Sequence, residues 1–355
     1  MARLLNRQST AKFNLPMYIG FLLSEPKYIS CVRIGDTMNV SHDSVNRFMH
    51  REDYTPKDLF DESTKNINLN GGTVSVDDMV IDKPYANYIS YIGYFYSGKH
   101  HRVVQGINLI TLYYTDKSNV SMPINFRIYD KTDNKSKNDY FLEMLNEVIL
   151  WGLKPEYVTG DSWYSSVENL KAIKNNGLSF QFAIESNRIV SVEKGTCDNV
   201  SNIDIPKEGK VLWLKDYGHV KVFRSNLKNQ VRHYILSIAD NAVSKGGHKQ
   251  LDQINEDKFE ELHDIHWKIE QYHRTVKQVC NIERFYIRGA SGVRTHLFAS
   301  ICGFVALQRM TVNDLIANCY EISRELFKTV IADFVKNFAP SMENLLPKYN
   351  KIYNA

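Results

Sequence analysis

The sequence lacks the features that mark secreted, thiolate-zinc and membrane proteins. Its five cysteines are scattered along 355 residues without a C-x-x-C spacing, so neither a disulfide framework nor a zinc ribbon is expected. The first residues, MARLLNRQSTAKFNLP, have no long apolar core of a signal peptide. The longest apolar run, HLFASICGFVAL, is too short to cross a bilayer. These absences predict a soluble, cytoplasmic protein with no membrane partner.

No large excess of either charge is present. The chain has 44 Lys and Arg against 40 Asp and Glu, which gives a formal net charge of +4. This balance permits an anionic partner such as nucleic acid without demanding one. Apolar residues are plentiful by contrast, because 43% of the chain is hydrophobic. That fraction supports a full core and two or three domains.

Residues 1–65 have the pattern of short helices. An N-cap serine precedes apolar residues at helical spacing in the stretch NVSHDSVNRFMHR. Two short helices joined by NVSHDS resemble a helix-turn-helix, with Ser44, Asn46 and Arg47 on the exposed side of the second helix. A small helical bundle without a DNA role explains the same pattern equally well. Both interpretations of this region stay open at this point.

Residues 70–178 alternate between strand and helix patterns. Three β-rich segments, GGTVSVDDMVID, RVVQGINLITLYYTD and SMPINFRIYD, precede an amphipathic helix at 136–152. The strand PEYVTG and a further helix follow. Three strands, a helix, a strand and a helix form the order of a ribonuclease-H-like α/β core.

The remaining chain divides into a β-rich part and a helical part. Residues 179–245 have strand patterns and turn-rich segments, which predict a β-rich insertion followed by a polar linker. Long helices are predicted in 250–290 and in the C-terminal region 291–355. The predicted fold class is therefore α/β, a ribonuclease-H-like core interrupted by a β-rich insertion and flanked by helical N-terminal and C-terminal regions.

Carboxylates stand at three positions of this predicted core. Asp77 and Asp78 lie in its first strand, Asp161 follows a later strand, and Glu270 lies in the helix after the insertion. In a ribonuclease-H-like fold these positions converge at one edge of the sheet. Carboxylates gathered there repel one another unless divalent cations bind between them. Two Mg²⁺ ions held in this way activate a water or a 3′-hydroxyl and stabilise the leaving oxygen at phosphorus.

Each of these positions also has an ordinary structural explanation. An aspartate directly before a helix is more often an N-cap, which applies to Asp161. A pair of aspartates often just ends a strand, and a lone glutamate on a helix is usually solvated. Glu270, Arg274 and Lys277 lie at i, i+4 and i+7 in DIHWKIEQYHRTVKQVCNIERF, and an i,i+4 ion pair explains the first two. The order Asp, Asp, Glu in the expected elements favours the catalytic interpretation.

The helix DIHWKIEQYHRTVKQVCNIERF carries a resemblance to a known family. The chain is similar to DDE-type insertion-sequence transposases of the branch with a β-strand insertion between the second Asp and the Glu. The helix motif of that branch is Tyr, two residues, Arg, three residues, Glu, six residues, Lys. Glu270 and Lys277 fit it, whereas His263 and His266 occupy the Tyr and Arg positions. Histidine is a cation only when protonated, so we expect these two histidines to contact DNA phosphates in that form and Arg274 to supply the missing charge. The resemblance implies that Lys277 and Arg274 contact DNA phosphates.

The resemblance implies the identity of the metal ligands. They are Asp161, Glu270 and one aspartate of the pair Asp77 and Asp78, holding Mg²⁺ with Mn²⁺ as a possible substitute. Met79 stands where the family has a threonine. Alignment on the hydrophobic run favours Asp78 as the first ligand, and Asp77 is the alternative.

The resemblance also implies a substrate and partners. Such an enzyme binds the terminal inverted repeats of its element through the N-terminal region, cleaves the DNA and joins it to target DNA by cut-and-paste transposition. It works as a homodimer in the synaptic complex, in the nucleoid of a prokaryotic cell. Two alternatives remain: a ribonuclease-H-like nuclease without strand transfer, and an inactive derivative that only binds DNA.

Two further side chains are candidate DNA contacts. Lys83, near the end of the first strand, is either a phosphate contact or an exposed strand-end lysine. Trp213, in the β-rich insertion, matches the region where some relatives stack an aromatic on a flipped base. A tryptophan of the core is the commoner explanation for that position.

A zinc site is the remaining alternative for the histidines. His263, His266 and Glu270 have helical spacing, and His100–His101 offer further ligands. No H-E-x-x-H motif and no thiolate pair accompany them. The sequence therefore favours the carboxylate site.

Overall fold

The computed structural model describes most of the chain, namely residues 12–25, 29–65, 67–193, 195–227, 230–239 and 251–343. Most of the predicted polar linker and both ends of the predicted terminal regions lie outside these residues. Everything below concerns the described part.

Four short helices precede the sheet. Each begins after an N-cap side chain that accepts a hydrogen bond from a backbone N–H of the first turn. A left-handed residue, Asn39 with φ of 52°, ends the second helix and starts the tight turn to the third. The predicted pair of short helices is present, and their apolar side chains form a cluster that also includes Ala299. The helices are α1 Leu15–Ser24, α2 Cys31–Met38, α3 His42–Arg51 and α4 Pro56–Ser63.

The core sheet has the strand order and directions of a ribonuclease-H-like fold. β1 pairs antiparallel with β3 and parallel with β5, β3 pairs antiparallel with β4, and β6 pairs parallel with β5. The short strand β2 extends the β3 edge and was not predicted. The strands are β1 Thr73–Asp82, β2 Gly93–Ser97, β3 Arg102–Thr115, β4 Ser121–Ile128, β5 Tyr157–Gly160 and β6 Ser179–Ile184.

The insertion continues the same sheet instead of forming a separate one. Its last strand, β11, pairs antiparallel with β6, and β10, β9, β7 and β8 follow in that order. β6 was assigned to the insertion by sequence, but it belongs to the core, because a helical crossover from β5 returns the chain parallel to it. The strands are β7 Ile189–Ser191, β8 Cys197–Asn199, β9 Lys210–Leu214, β10 Gly218–Leu227 and β11 Gln230–Ser237.

Helices cover both faces of the core sheet. Apolar side chains of α5 and α6 pack on one face of β1, and those of α7 and α8 pack on the other. Among the described residues one helix, α8, is long and apolar enough to cross a bilayer, and 78% of its most apolar window is buried. It is thus a core helix in this fold. The helices are α5 Lys137–Leu150, α6 Val167–Asn175, α7 Glu256–Gln278, α8 Ala290–Val312, α9 Glu321–Glu325 and α10 Lys328–Glu343.

Candidate active site

The two aspartates of β1 point to opposite faces of the sheet, because successive side chains of a strand alternate. Asp77 has the parity of Met79 and Ile81, which pack beneath α7 and α8. Asp78 has the parity of Val76, which packs beneath α5 and α6. The adjacent carboxylates therefore meet different surroundings.

Asp78 is fully engaged by groups of the protein. Its Oδ2 accepts hydrogen bonds from the Lys137 ammonium at 2.7 Å and the Asn108 amide at 2.5 Å. Its Oδ1 accepts one from the Tyr164 hydroxyl at 3.0 Å. A cation and two neutral donors thus satisfy the carboxylate, which leaves it little capacity to bind a metal. This arrangement argues against Asp78, the aspartate that sequence alignment favoured.

Asp77 is buried among like charges. One oxygen accepts the backbone N–H of Asp78 at 2.7 Å, and the other lies 3.5 Å from Nδ1 of His273. Burial, and next the charges of Asp161, Glu270 and Asp78, raise the pKa of Asp77 well above its usual range. The ligand atoms of Asp77, Glu270 and His273 all lie within 4.8 Å of one another. This face of β1 therefore gathers metal-binding groups.

Asp161 joins Asp77 through the parallel pairing of β1 and β5. Val76 is in register with Gly160, so the next residue of each strand is an aspartate at the same sheet edge. Oδ1 of Asp161 accepts the backbone N–H of Trp163 at 3.0 Å, which is the N-cap role expected as the ordinary explanation. Burial, and secondarily the charge of Asp78, raise the pKa of Asp161 to about 6. The backbone N–H groups of Trp163 and Tyr164 act in the opposite direction and lower it.

The carboxylates lie in a cleft of about 1100 Å³. Exposed aromatic rings border it: Tyr94 and Tyr96 of β2 are each 65% exposed, and Trp163 is 62% exposed. The Lys137 ammonium lies 5.3 Å from the centre of the Trp163 ring. The cleft also contains Arg274, which is exposed. Cations and exposed rings beside carboxylates suit a nucleic acid strand, since phosphates meet the cations and bases stack on the rings.

Lys277 also lines this cleft, but other groups of the protein already engage its ammonium. Its ammonium donates to the carbonyl oxygen of Val80 at 2.6 Å and lies 3.2 Å from a carboxylate oxygen of Glu283. The predicted i,i+7 partner of Glu270 therefore anchors α7 to β1. Arg274 has no such partner among the residues the structure describes and is the freer of the two cations.

The histidines at the Tyr and Arg positions of the family motif are packed between α7 and the sheet. Burial lowers the pKa of His266 to about 4, and its Nδ1 lies 3.3 Å from the hydroxyl of Thr159. Burial also lowers the pKa of His263, whose ring packs edge-on against Tyr234 at 5.5 Å. Burial therefore disfavours the protonated form that a phosphate contact requires, and the DNA contacts of both residues stay a prediction.

Lys83 is a structural residue, contrary to the expected phosphate contact. It is 8% exposed, and its ammonium donates to the carbonyl oxygens of Glu283 at 2.7 Å and Phe285 at 2.9 Å. The same ammonium lies 3.5 Å from the centre of the Phe285 ring. Burial lowers the pKa of Lys83 to about 8. It fastens the segment after α7 to the end of β1.

The other predicted DNA contacts lie away from the cleft. Trp213 is 47% exposed on β9, and the ring of His219 lies edge-on to it at 4.7 Å. It is therefore not a tryptophan of the core, which was the commoner explanation for its position. On α3, Asn46 and Arg47 are exposed. Ser44 is half-buried, and its hydroxyl lies 2.9 Å from that of the N-cap Ser41. Their contribution to DNA binding stays a prediction.

The structure brings in one group that sequence reasoning missed, His273. It lies three residues after Glu270 on α7, so both side chains share a helix face. The spacing Glu-x-x-His was the available signal. The zinc alternative grouped other histidines, but among the described residues neither His263 nor His266 joins the cluster with Glu270.

Comparison with known proteins decides the family. The family model described as Transposase DDE domain matches residues 72–304. The chain belongs to the DDE transposases. No curated protein matches it by sequence.

A solved transposase shares the fold at low identity. The piggyBac transposase, solved as a synaptic complex with hairpin DNA, aligns with a TM-score of 0.52 and 14% identity over 96% of this chain and 74% of its own. The Drosophila P element transposase in a strand transfer complex aligns with a TM-score of 0.28 and 9% identity over 87% of this chain and 83% of its own. The first likeness supports the ribonuclease-H-like core.

As a DDE transposase, the protein is a metal-dependent enzyme that cleaves and joins DNA, and its site fits a divalent cation. Carboxylate oxygens are the ligands that hard divalent cations prefer. The raised pKa of Asp77 shows that its carboxylate lacks compensating charge from the protein. The Nε2 atom of His273 is also buried without a hydrogen-bond partner among the described residues. A cation between these groups removes the repulsion that the fold itself leaves in place.

Proposed function

We propose that this transposase binds the terminal inverted repeats of an insertion sequence and moves it by cut-and-paste transposition. In the proposed site Asp77, Asp161 and Glu270 hold two divalent cations, Mg²⁺ or its substitute Mn²⁺. The observation that carries the proposal is their convergence, from β1, β5 and α7, at one end of a cleft lined by cations and exposed aromatic rings. Asp77 replaces Asp78 as the first ligand because Asp78 is already paired with Lys137.

The bound metal pair supplies an activated water or 3′-hydroxyl and stabilises the leaving oxygen. The chain's own groups position the DNA for this chemistry. Arg274 contacts a phosphate beside the carboxylates, and Trp163 and Tyr94 stack on bases of the strand end. Lys137 and Asp78 hold β1 and α5 together behind Asp77, so that the carboxylate keeps its place when DNA binds.

End recognition is proposed for α3. Asn46 and Arg47 are exposed on this helix, which follows a short helix and a tight turn as in helix-turn-helix proteins. Because transposition joins two ends of one element, we propose a homodimer that holds both ends in a synaptic complex. The helices α1–α3 pack on α8 through Ala299, so recognition and catalysis reside on one packed body.

A strand-transfer assay tests the proposal. The substrates are DNA ends from the inverted repeats that flank the reading frame, supplied pre-cleaved with a free 3′-hydroxyl, and a supercoiled plasmid target. With Mg²⁺ we expect plasmid molecules covalently joined to the ends. Cleavage of uncut ends without joining identifies a nuclease instead. Binding without cleavage or joining identifies an inactive DNA-binding derivative, and either result overturns the proposal.

A further inference from the structure

The helix that carries Glu270 also carries a nitrogen donor directed at the same site. His273 follows Glu270 by three positions on α7, which places their side chains next to each other along one face. Glu-x-x-His is the spacing by which helices present a carboxylate and an imidazole to one metal ion. On spacing alone, however, such a pair is common without a metal.

The surroundings of His273 supply the independent observation. The residue is 6% exposed, yet its Nε2 has no hydrogen-bond partner among the described residues. Its Nδ1 lies 3.5 Å from Oδ2 of Asp77, which is longer than the usual N–H···O range of about 2.7–3.2 Å. Buried imidazoles ordinarily have their nitrogens satisfied. This ring is therefore held against two carboxylates without the bonds that would explain its position.

We propose that His273 is a nitrogen ligand of the metal held by Asp77 and Glu270, and that it makes this site select a transition metal such as Mn²⁺ over Mg²⁺. Mg²⁺ favours an all-oxygen shell, whereas imidazole nitrogen suits first-row transition metals. The inference rests on the carboxylate site of the proposed function and adds a ligand to it. It concerns metal selectivity, which the three carboxylates alone leave unspecified.

Electron spin-echo spectroscopy of bound Mn²⁺ tests this ligand directly, because it detects nitrogen nuclei bonded to the metal. In the native protein we expect a ¹⁴N coupling, replaced by a ¹⁵N coupling when the protein is grown with ¹⁵N-labelled histidine. His273→Gln is expected to remove the coupling and weaken Mn²⁺ binding about tenfold or more, with a smaller effect on Mg²⁺. His266→Gln, which changes a half-buried histidine of the same helix, is the matched control and keeps the coupling.

The outcomes separate this inference from the proposed function. Mn²⁺ that binds natively without any nitrogen coupling, or a coupling that survives in His273→Gln, overturns the role of His273 and leaves the carboxylate site standing. Mn²⁺ binding that is unchanged in both Asp77→Asn and Glu270→Gln overturns the site itself. The labelled native protein gives the decisive spectrum even where His273→Gln fails to fold.

Discussion

The two faces of β1 carry adjacent aspartates with opposite fates. On the α5 face, Asp78 is surrounded by donors: a lysine, an amide and a hydroxyl. On the α7 face, Asp77 meets Glu270, Asp161 and His273, and burial, and next the charges of Asp161 and Glu270, raise its pKa. The same residue type in the same strand is thus structural on one side and unsatisfied on the other. We propose that the catalytic site lies where the fold has left charge uncompensated.

The comparison also explains why both aspartates are useful. A carboxylate cluster without metal is destabilising, because buried like charges repel. The ion pair of Asp78 and Lys137 at 2.7 Å ties β1 to the start of α5 immediately behind it. The satisfied pair on one face therefore supports an unsatisfied carboxylate on the other.

The largest effect is expected on DNA cleavage, from substitution of the carboxylates that cluster with Asp77. Asp161→Asn and Glu270→Gln should each reduce metal-dependent cleavage on the order of a thousandfold or more, because metal stabilisation of the transition state is lost. DNA binding should persist, since neither residue belongs to α3. Single-turnover cleavage and a gel-shift titration measure the two properties. Near-native cleavage by either variant rules out that residue as a ligand.

Substitution of Asp78, on the α5 face of β1, should reduce folding stability more than catalysis. Asp78→Asn leaves the Lys137 ammonium without its counter-ion and should lower the free energy of unfolding by about 2–4 kcal/mol. Asp77→Asn removes a repelled charge and should not destabilise the metal-free protein. Urea denaturation without metal compares the variants. Equal losses in both would show that the two faces do not differ.

The loss of folding stability in acid should depend partly on His266 of α7. The folded-state pKa of His266 is about 4, below the ordinary value of about 6.5. The unfolded chain therefore binds the proton first, so this residue's contribution is full above pH 6.5 and declines as pH falls to about 4. His266→Gln should make the loss of stability in this window smaller by about 1–2 kcal/mol. Melting curves at pH 7 and 4.5 measure it; an unchanged difference contradicts the shift.

The smallest effects are expected for the cations of α7. Arg274→Ala should weaken DNA binding severalfold and reduce the salt dependence by roughly one phosphate contact. Lys277→Ala should change DNA binding less, because Val80 and Glu283 already engage its ammonium. Binding titrations at several salt concentrations compare the two. A larger loss of DNA binding in Lys277→Ala than in Arg274→Ala would show that Lys277, and not Arg274, is the cation available to DNA.

The sequence predicted the elements that carry the site, because their signals are local. Asp161 follows a short strand, Glu270 lies on an amphipathic helix, and parallel strands present their ends at one edge. The choice between Asp77 and Asp78 could not be made from the sequence, since β1 is buried on both faces. The alternation of side chains along a strand places the two aspartates on opposite faces, but it does not show which of them faces α7.

The errors share one physical cause, which is contact between residues distant in sequence. The ammonium of Lys83 is engaged by carbonyl groups about 200 residues away in the sequence. The pKa of His266 is lowered because α7 packs over β5. The strand β6 joins the core because it pairs with β5. A pattern of residue types indicates which chain segments can be buried, but not what each side chain meets there.

Calorimetric titration of Mn²⁺ into Asp77→Asn and Asp78→Asn tests the central claim most directly. The variants differ by one position and make the same chemical change on opposite faces of β1. We predict that Asp77→Asn loses measurable binding at the carboxylate site, whereas Asp78→Asn, at a temperature where it is folded, binds Mn²⁺ within a fewfold of the native protein. Loss of binding in Asp78→Asn with native binding in Asp77→Asn would contradict the assignment of the metal to the α7 face.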